Sequence, residues 1–358
     1  MTTKILFATL LALPLAIQPL SAQHDVAPAA PAYKNLTVLK DAPADQIGPA
    51  MQFMSSSLGV DCAFCHVAGK MEADDKGAKK TAREMITMTA AINKEHFGGR
   101  PQITCNSCHR GAARPVAVPA VLETDAMPKP AAAPAAPGAG TAPTADQVLE
   151  KYISALGGAD ALKKVASRQM LGKILAGGSE TPIEVLTKAP NMRVTITHST
   201  ADSFTAFDGK GGWMGTAGKP ARSMSESESA ASSLDAQFHL ALTVKELYPQ
   251  LRRGRPEAVA GVDCEVLNGT APGKPMVRLY FAKDSGLLVR MVRFADTPLG
   301  RMPTQIDYSD YRENDGVKAP FKWTLSRPNG RFTIQIATVK NNAAIDNARF
   351  AKPAGDVK

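Results

Sequence analysis

The sequence predicts a multidomain protein, with a small mostly-α domain followed by an α+β domain built on a largely antiparallel open-barrel sheet. Three observations predict it. An Ala/Pro-rich stretch divides the 358-residue chain in two. Before that stretch, two helical patterns each lead into Cys-x-x-Cys-His; after it, an amphipathic helix gives way to short strand patterns punctuated by turn dipeptides.

Composition agrees. At about 100–200 residues per domain the length fits two domains. With 44% hydrophobic and 21% charged residues, the chain has the material for real cores and is not broadly disordered. The net charge of +9 is spread along the chain, without blocks of like charge or basic stripes interleaved with aromatics, so no nucleic acid is expected as a partner.

The elements follow in chain order. Residues 1–22 read as a secretory signal peptide: Lys4, an apolar run from Ile5 to Leu20, then the small residues Ser21 and Ala22. Pro14, Gln18 and Pro19 interrupt that run, which is short for a membrane span, and no second stretch of about 20 apolar residues follows. The expected product is periplasmic and soluble after cleavage; an uncleaved anchor is the alternative. Residues 33–114 form the first domain. In it Ile47, Met51, Met54 and Leu58 recur at helical spacing before Gly59, and Met85, Met88 and Ile92 share a helical face ahead of Gly98-Gly99. Residues 115–143 are the linker, where 17 of 29 residues are Ala or Pro. Such a tether extends at about 3.1 Å per residue, and independent motion of its flanking domains is expected.

Residues 144–353 form the second domain. Thr144-Ala145-Asp146-Gln147 is a capping box ahead of Val148, Leu149, Tyr152, Ile153 and Leu156, with Gly157-Gly158 as the stop and a short helix over 159–165. Strands are predicted at Ile183 to Lys188, Met192 to His198, Val262 to Leu267, Met276 to Ala282, Leu287 to Phe294 and Phe332 to Val339. Asp208-Gly209, Asp315-Gly316 and Asn329-Gly330 supply turns. From Thr144 to the end of the sequence there are 29 basic against 22 acidic residues, which predicts docking to an anionic partner or surface. This domain has no phosphate loop and no Ser/His/Asp motif, His198 and His239 are far apart, and Cys264 reads as a small buried residue in its strand.

The chemistry lies in Cys62-Ala63-Phe64-Cys65-His66 and Cys105-Asn106-Ser107-Cys108-His109. Cys-x-x-Cys-His is the attachment motif of haem c. Its two thiols form thioethers with the two vinyl groups on one porphyrin edge, and the adjacent His then reaches the iron. Two covalently bound haem c groups are predicted, on Cys62 and Cys65 and on Cys105 and Cys108, with His66 and His109 as proximal iron ligands. Two Cys pairs also suit tetrahedral zinc, or a redox disulfide each in an exported protein. A Met thioether as sixth ligand suits electron transfer, whereas an open position admits peroxide or a small molecule. Met51 and Met85 stand on the preceding helices, with Met54, Met88, His24 and His96 as competitors and core filling as the alternative role. Arg83 and Arg110, beside the motifs, are candidates for pairing with haem propionates, or else with surface carboxylates.

Lys34-Asn35-Leu36, Met51 to Cys62 with Leu58-Gly59-Val60, Thr81-Ala82-Arg83-Glu84-Met85 with Ile92-Asn93, and Thr104 to Gly111 together resemble the cytochrome c subunit of photosynthetic reaction centres, over about residues 33 to 115. The resemblance implies a dihaem electron-transfer module with Met51 and Met85 as the distal ligands. It departs from that family in having two attachment motifs where four haems are usual, and in lacking a lipid-bearing cysteine at the mature start. The helix-then-strands pattern of the C-terminal half resembles periplasmic lipoprotein carriers and sorting proteins, which implies a pocket for a hydrophobic ligand. The function expected is electron transfer between a protein donor and acceptor rather than enzymatic turnover. The rivals are a haem peroxidase or reductase with one open iron, and a lipid or lipoprotein carrier with redox-sensing haems.

Overall fold

The computed structural model of the chain describes residues 33–115, 142–328 and 330–352. The signal-peptide segment, His24, nearly all of the linker and Asn329 of the Asn329-Gly330 turn lie outside the described residues.

The first domain is helical. Its helices are α1 (Ile47–Leu58), α2 (Cys62–Cys65), α3 (Gly77–Phe97) and α4 (Cys105–His109). α1 ends where the sequence places its stop, because Gly59 takes φ +65° in a left-handed cap. α3 likewise ends on Gly98 at φ +60°. The core is small: Leu39, Ile47, Ala50 and Ile86 are buried, with Met51 and Met54 packed against them.

The second domain opens with α5 (Ala145–Ala155), whose Thr144–Gln147 capping box forms as expected, and α6 (Ala159–Lys164). Its strands are β1 (Ser167–Ala176), β2 (Ser179–Lys188), β3 (Met192–Thr197), β4 (Ser203–Phe207), β5 (Gly212–Thr216) and β6 (Arg222–Ser223). Two helices follow, α7 (Glu226–Asp235) and α8 (Leu240–Leu247). The strands resume with β7 (Arg252–Arg253), β8 (Glu257–Val259), β9 (Val262–Gly269), β10 (Met276–Ala282), β11 (Leu288–Thr297), β12 (Gly300–Asn314), β13 (Val317–Arg327) and β14 (Gly330–Asn341).

Among the described residues these strands make one antiparallel sheet, ordered β6-β5-β4-β3-β2-β1-β14-β13-β12-β11-β10-β9-β7, with β8 on β9. β6 and β7 are its two ends and do not pair with each other, so the barrel is open. Asp315 and Gly316, at φ +54° and +76°, form the expected tight turn between β12 and β13. The main core lies where α5 and α8 bury Val148, Tyr152 and Val244 against Val185, Leu267, Leu279 and Phe281. α7 touches β4 and β5 on one arm and β11 on the other, and so bridges the concave face. The chain closes with Phe350 fully buried, its carbonyl accepting the Trp213 indole N–H at 2.8 Å.

The two domains touch, where the linker alone predicts free relative motion. α1 meets β11 and β12, and Leu299 in their turn joins the core of the first domain. A Cβ on Gly300, at φ +147°, would fall 2.6 Å from the Phe53 ring and 3.1 Å from Thr104 Cγ2. Gln46 Nε2 donates to Ser227 Oγ at 3.1 Å. Among the described residues no helix is long and apolar enough to cross a membrane.

Candidate functional site

Each Cys-x-x-Cys forms one helical turn with a cap of its own. Asp61 Oδ1 accepts the Phe64 N–H at 3.1 Å and starts α2; at α4 the Thr104 N–H donates to Ser107 Oγ at 3.0 Å. An (i, i+3) pair in a helical turn lies on one face, so each pair of thiols points the same way. All four cysteines are free thiols, Cys62 and Cys108 exposed and Cys65 and Cys105 half-buried. Burial pushes the Cys65 thiol up, opposed by the nearby Lys76 ammonium, and burial likewise raises Cys105.

The two histidines share one arrangement. His66 Nδ1–H donates to the Met71 carbonyl at 2.8 Å, and His109 Nδ1–H donates to the Ala112 carbonyl at 3.0 Å. A carbonyl only accepts, so in each ring the proton sits on Nδ1 and Nε2 keeps its lone pair. That is the state and orientation in which an imidazole ligates a metal. Haem c fits this donor set: two thiols on one face, an imidazole beside them with Nε2 uncommitted, and exposed apolar side chains nearby in Phe64 and Met71. Among the described residues no three His, Cys, Asp or Glu side chains gather to hold a metal ion, so the Cys pairs do not converge on one tetrahedral site.

The loop carrying the Met71 carbonyl is held from α3. Lys79, 9% exposed, donates to the Met71 and Ala73 carbonyls, both at 2.9 Å, and pairs with Asp74 at 3.2 Å. Arg83 binds Asp74 at 2.9 Å and the Asn35 carbonyl at 3.1 Å, and its guanidinium holds the Asp74 carboxyl well below the usual carboxylate range. Arg83 is thus engaged within the protein, whereas Arg110 caps α4 in the left-handed region at φ +51°. At the second motif Asn93, 8% exposed, donates to the Ile103 carbonyl at 2.7 Å and accepts the Gln102 and Ile103 amides at 3.0 and 2.9 Å. The motifs are also tied together. The Gly111 N–H donates to the Ser57 carbonyl at 2.8 Å, and a Cβ on Gly59 would lie 2.1 Å from the Gly111 oxygen.

Met51 and Met85 both stand half-buried, on α1 and α3. α1 packs against α4, and α3 against both α2 and α4. Of the competitors, Met54 lies beside Met51 in the small core, Met88 is 46% exposed, and His96 stands on the surface beside Glu95. Cys264 is fully buried and its thiol is raised by that burial. The carbonyls of Met71 and Ala112, Lys79 and the Asn93 bracket escape sequence reasoning, since backbone acceptors leave no residue signature.

Residues 6–154 match the family described as the photosynthetic reaction centre cytochrome C subunit. The chain is 32% identical over 101 residues to the photosynthetic reaction center cytochrome c subunit of Thermochromatium tepidum, covering 26% of this chain and 25% of that protein. It is 31% identical over 84 residues to cytochrome c-554 of Chloroflexus aurantiacus, covering 22% of this chain and 20% of that one. The chain thus spans about a quarter or less of the length of the curated relatives it matches. Among solved structures, a LolA superfamily protein from Nitrosomonas europaea covers 59% of this chain and 99% of its own at 15% identity, with a TM-score of 0.43. A DUF1329 family protein from Desulfovibrio piger covers 57% and 96% at 16% identity, with a TM-score of 0.41. The N-terminal region is therefore similar to the cytochrome c subunit of photosynthetic reaction centres.

Proposed function

We propose that the chain is an exported dihaem c-type cytochrome that carries electrons between protein redox partners in the periplasm, with the C-terminal barrel serving docking or ligand binding. The observation that carries the reading is the repeated pairing of a one-face Cys-x-x-Cys turn with a histidine whose Nδ1 is committed to a backbone carbonyl. Signal peptide 1–22, haem domain 33–114, linker 115–143 and barrel 144–353 are its proposed parts.

Cys62 and Cys65 would hold one haem as thioethers and Cys105 and Cys108 the other; His66 and His109 would be the proximal ligands, and Met51 and Met85 the distal ones. Haem c bound there supplies a one-electron ferric/ferrous couple. The protein's part is to fix geometry. The Met71 and Ala112 carbonyls hold the two imidazole planes and raise their basicity. Lys79 keeps the Met71 carbonyl in place, and the Ser57–Gly111 and Gly59–Gly111 contacts fix one motif relative to the other. A thioether as sixth ligand favours ferrous iron and leaves no open position.

A pyridine haemochrome spectrum with the intact mass of the exported protein tests this. Two covalent haems per chain are expected, one lost in the Cys62→Ala, Cys65→Ala variant and the other in Cys105→Ala, Cys108→Ala. Stoichiometric zinc without haem overturns the reading. Met51→His and Met85→His each lower the potential of one haem, because imidazole favours ferric iron; unchanged potentials in both reject these ligands.

A further inference from the structure

The concave face of the barrel encloses a cavity of about 1570 Å³, bridged by α7 and bounded on one side by Gly48, Pro49 and Gln52 at the start of α1. Five arginines from five separate strands line it: Arg168 on β1, Arg193 on β3, Arg222 on β6, Arg293 on β11 and Arg327 on β13. Among these Arg293, 7% exposed, reaches Asp235 Oδ2 at 2.9 Å through Nη2. Arg193 and Arg327 make no hydrogen bond or ion pair among the described residues; Arg193 feels Asp235 as its nearby countercharge, and Arg327, an exposed residue at the end of β13, feels both Asp235 and Glu228. Desolvation pulls both guanidinium groups down from their ordinary range, and Arg293 adds to this at Arg327 by repulsion.

Arg193 and Arg293 thus share one carboxylate in a partly desolvated space, with the exposed Arg327 on the same wall, a positive balance that folding alone does not favour. The hydrogen bonding is incomplete as well. Arg293 Nε and Asp235 Oδ1 are buried without any partner. A buried guanidinium N–H lacking an acceptor, on a cavity wall, marks where a ligand acceptor fits. The other carboxylates on the wall do not fill this role. Glu228 is taken by Arg222 at 2.7 Å and Asp296 by Arg301 at 2.9 Å. Glu226 is an exposed residue in the first turn of α7, and Asp45 belongs to the haem-domain side. Beyond the arginines the wall turns apolar, with Met170, Phe207, Trp323 and Ile334.

We propose that this cavity binds an amphiphilic anion, an oxyanion head on Arg193, Arg293 and Arg327 with an apolar tail along Met170, Phe207, Trp323 and Ile334. The head supplies the acceptors that Arg293 Nε and the unpaired Arg193 and Arg327 lack, each contact charge-assisted and in a medium that screens it little. The tail is retained by ordinary apolar burial. The inference concerns the barrel alone and does not depend on the haem reading.

The test is calorimetric titration of the full-length protein with four probes: dodecanoate, dodecyl phosphate, dodecyltrimethylammonium and inorganic phosphate. One site per chain is expected for the two oxyanion-headed chains, with at least about tenfold weaker binding of the ammonium-headed chain and of inorganic phosphate. The tighter of the two anionic chains then says whether the head is a carboxylate or a phosphate. Arg193→Gln and, separately, Arg327→Gln are expected to weaken the anionic chain by about tenfold and leave the ammonium-headed chain unchanged. Neither substitution orphans a partner, and an unchanged melting temperature shows that the barrel is intact. Equal affinity for heads of either charge, binding of inorganic phosphate as tight as that of dodecyl phosphate, no binding of either anionic chain, or folded arginine variants with unaltered affinity each overturn the proposal.

Discussion

Asn93→Ala is the most direct probe of how the second attachment motif is held. The side chain makes three hydrogen bonds to the segment before Cys105, at 2.7, 2.9 and 3.0 Å, from a position 8% exposed. At roughly 1 kcal/mol net each the loss comes to about 3 kcal/mol, because alanine restores none of them and leaves the Ile103 amide without an acceptor, whereas the Gln102 amide keeps the Arg100 carbonyl at 2.8 Å. The effect is local, since the Asn93 carbonyl still accepts the Gly99 N–H that closes α3. Hydrogen exchange measured by NMR reads it amide by amide. Every 1.4 kcal/mol is a factor of ten, so protection at Ile103 falls by about 100-fold, while amides in the middle of α3 keep theirs. Protection at Ile103 within about threefold of the parent refutes the assignment of this bracket to Asn93.

Three further outcomes follow from the same geometry. Glu228 is gripped by Arg222 through both oxygens, which with its other hydrogen bonds lowers its pKa from 4.5 to about 2. A depressed folded pKa means stability present above about 4.5 and lost as pH falls toward 2, so Glu228→Gln flattens the acid limb of the melting profile. At neutral pH it costs only about 1 kcal/mol, the pair being partly exposed. Phe350→Ala removes a fully buried ring and destabilises the barrel by about 3–5 kcal/mol, with a red shift of tryptophan emission as Trp213 gains solvent; a loss under about 1 kcal/mol sinks this reading of the chain's end. Leu299→Asp sets a charge into the apolar contact between the domains, so the radius of gyration by X-ray scattering increases while the barrel melts as before. An unchanged radius removes the contact as a determinant of domain placement.

What could be read from the sequence divides along physical lines. α1 and α3 are legible because their apolar faces recur at helical spacing and glycines stop them. β2, β3, β9, β10, β11 and β14 are legible because apolar residues dominate them. β1, β4, β5, β12 and β13 are not. Arg168 on β1, Thr205 on β4 and Thr304 on β12 stand among apolar residues on the cavity wall, which blurs the apolar-in, polar-out alternation, and β5 carries two glycines. β13 does alternate over Val317-Lys318-Ala319-Pro320-Phe321-Lys322-Trp323, but Pro320 within the run argues against a strand. α7, Glu-Ser-Glu-Ser-Ala-Ala-Ser-Ser-Leu-Asp, looks like a loop by composition, yet its Ser225 and Glu228 form a capping box that announces a helix. The two Cys-x-x-Cys-His segments are legible as a motif, since the chemistry proposed for them fixes their spacing. The arginine cluster is not: 159 residues separate Arg168 from Arg327, and only the sheet brings them to one cavity.

The seat formed by Leu299 and Gly300 against Phe53 and Thr104 has a consequence for how the molecule answers its surroundings. The two partners share one chain, so each meets the other at an effective concentration set by the connection between them and not by the amount of protein present. A contact whose intrinsic dissociation constant equals that effective concentration, even one far too weak to hold two separate proteins together, is then closed half of the time. A small seat of this kind sets the helical domain at the edge of the barrel cavity and still yields to a modest competitor. Tightening or loosening it by about 1.4 kcal/mol shifts the open-to-closed ratio tenfold, so the tether turns a feeble contact into an adjustable valve.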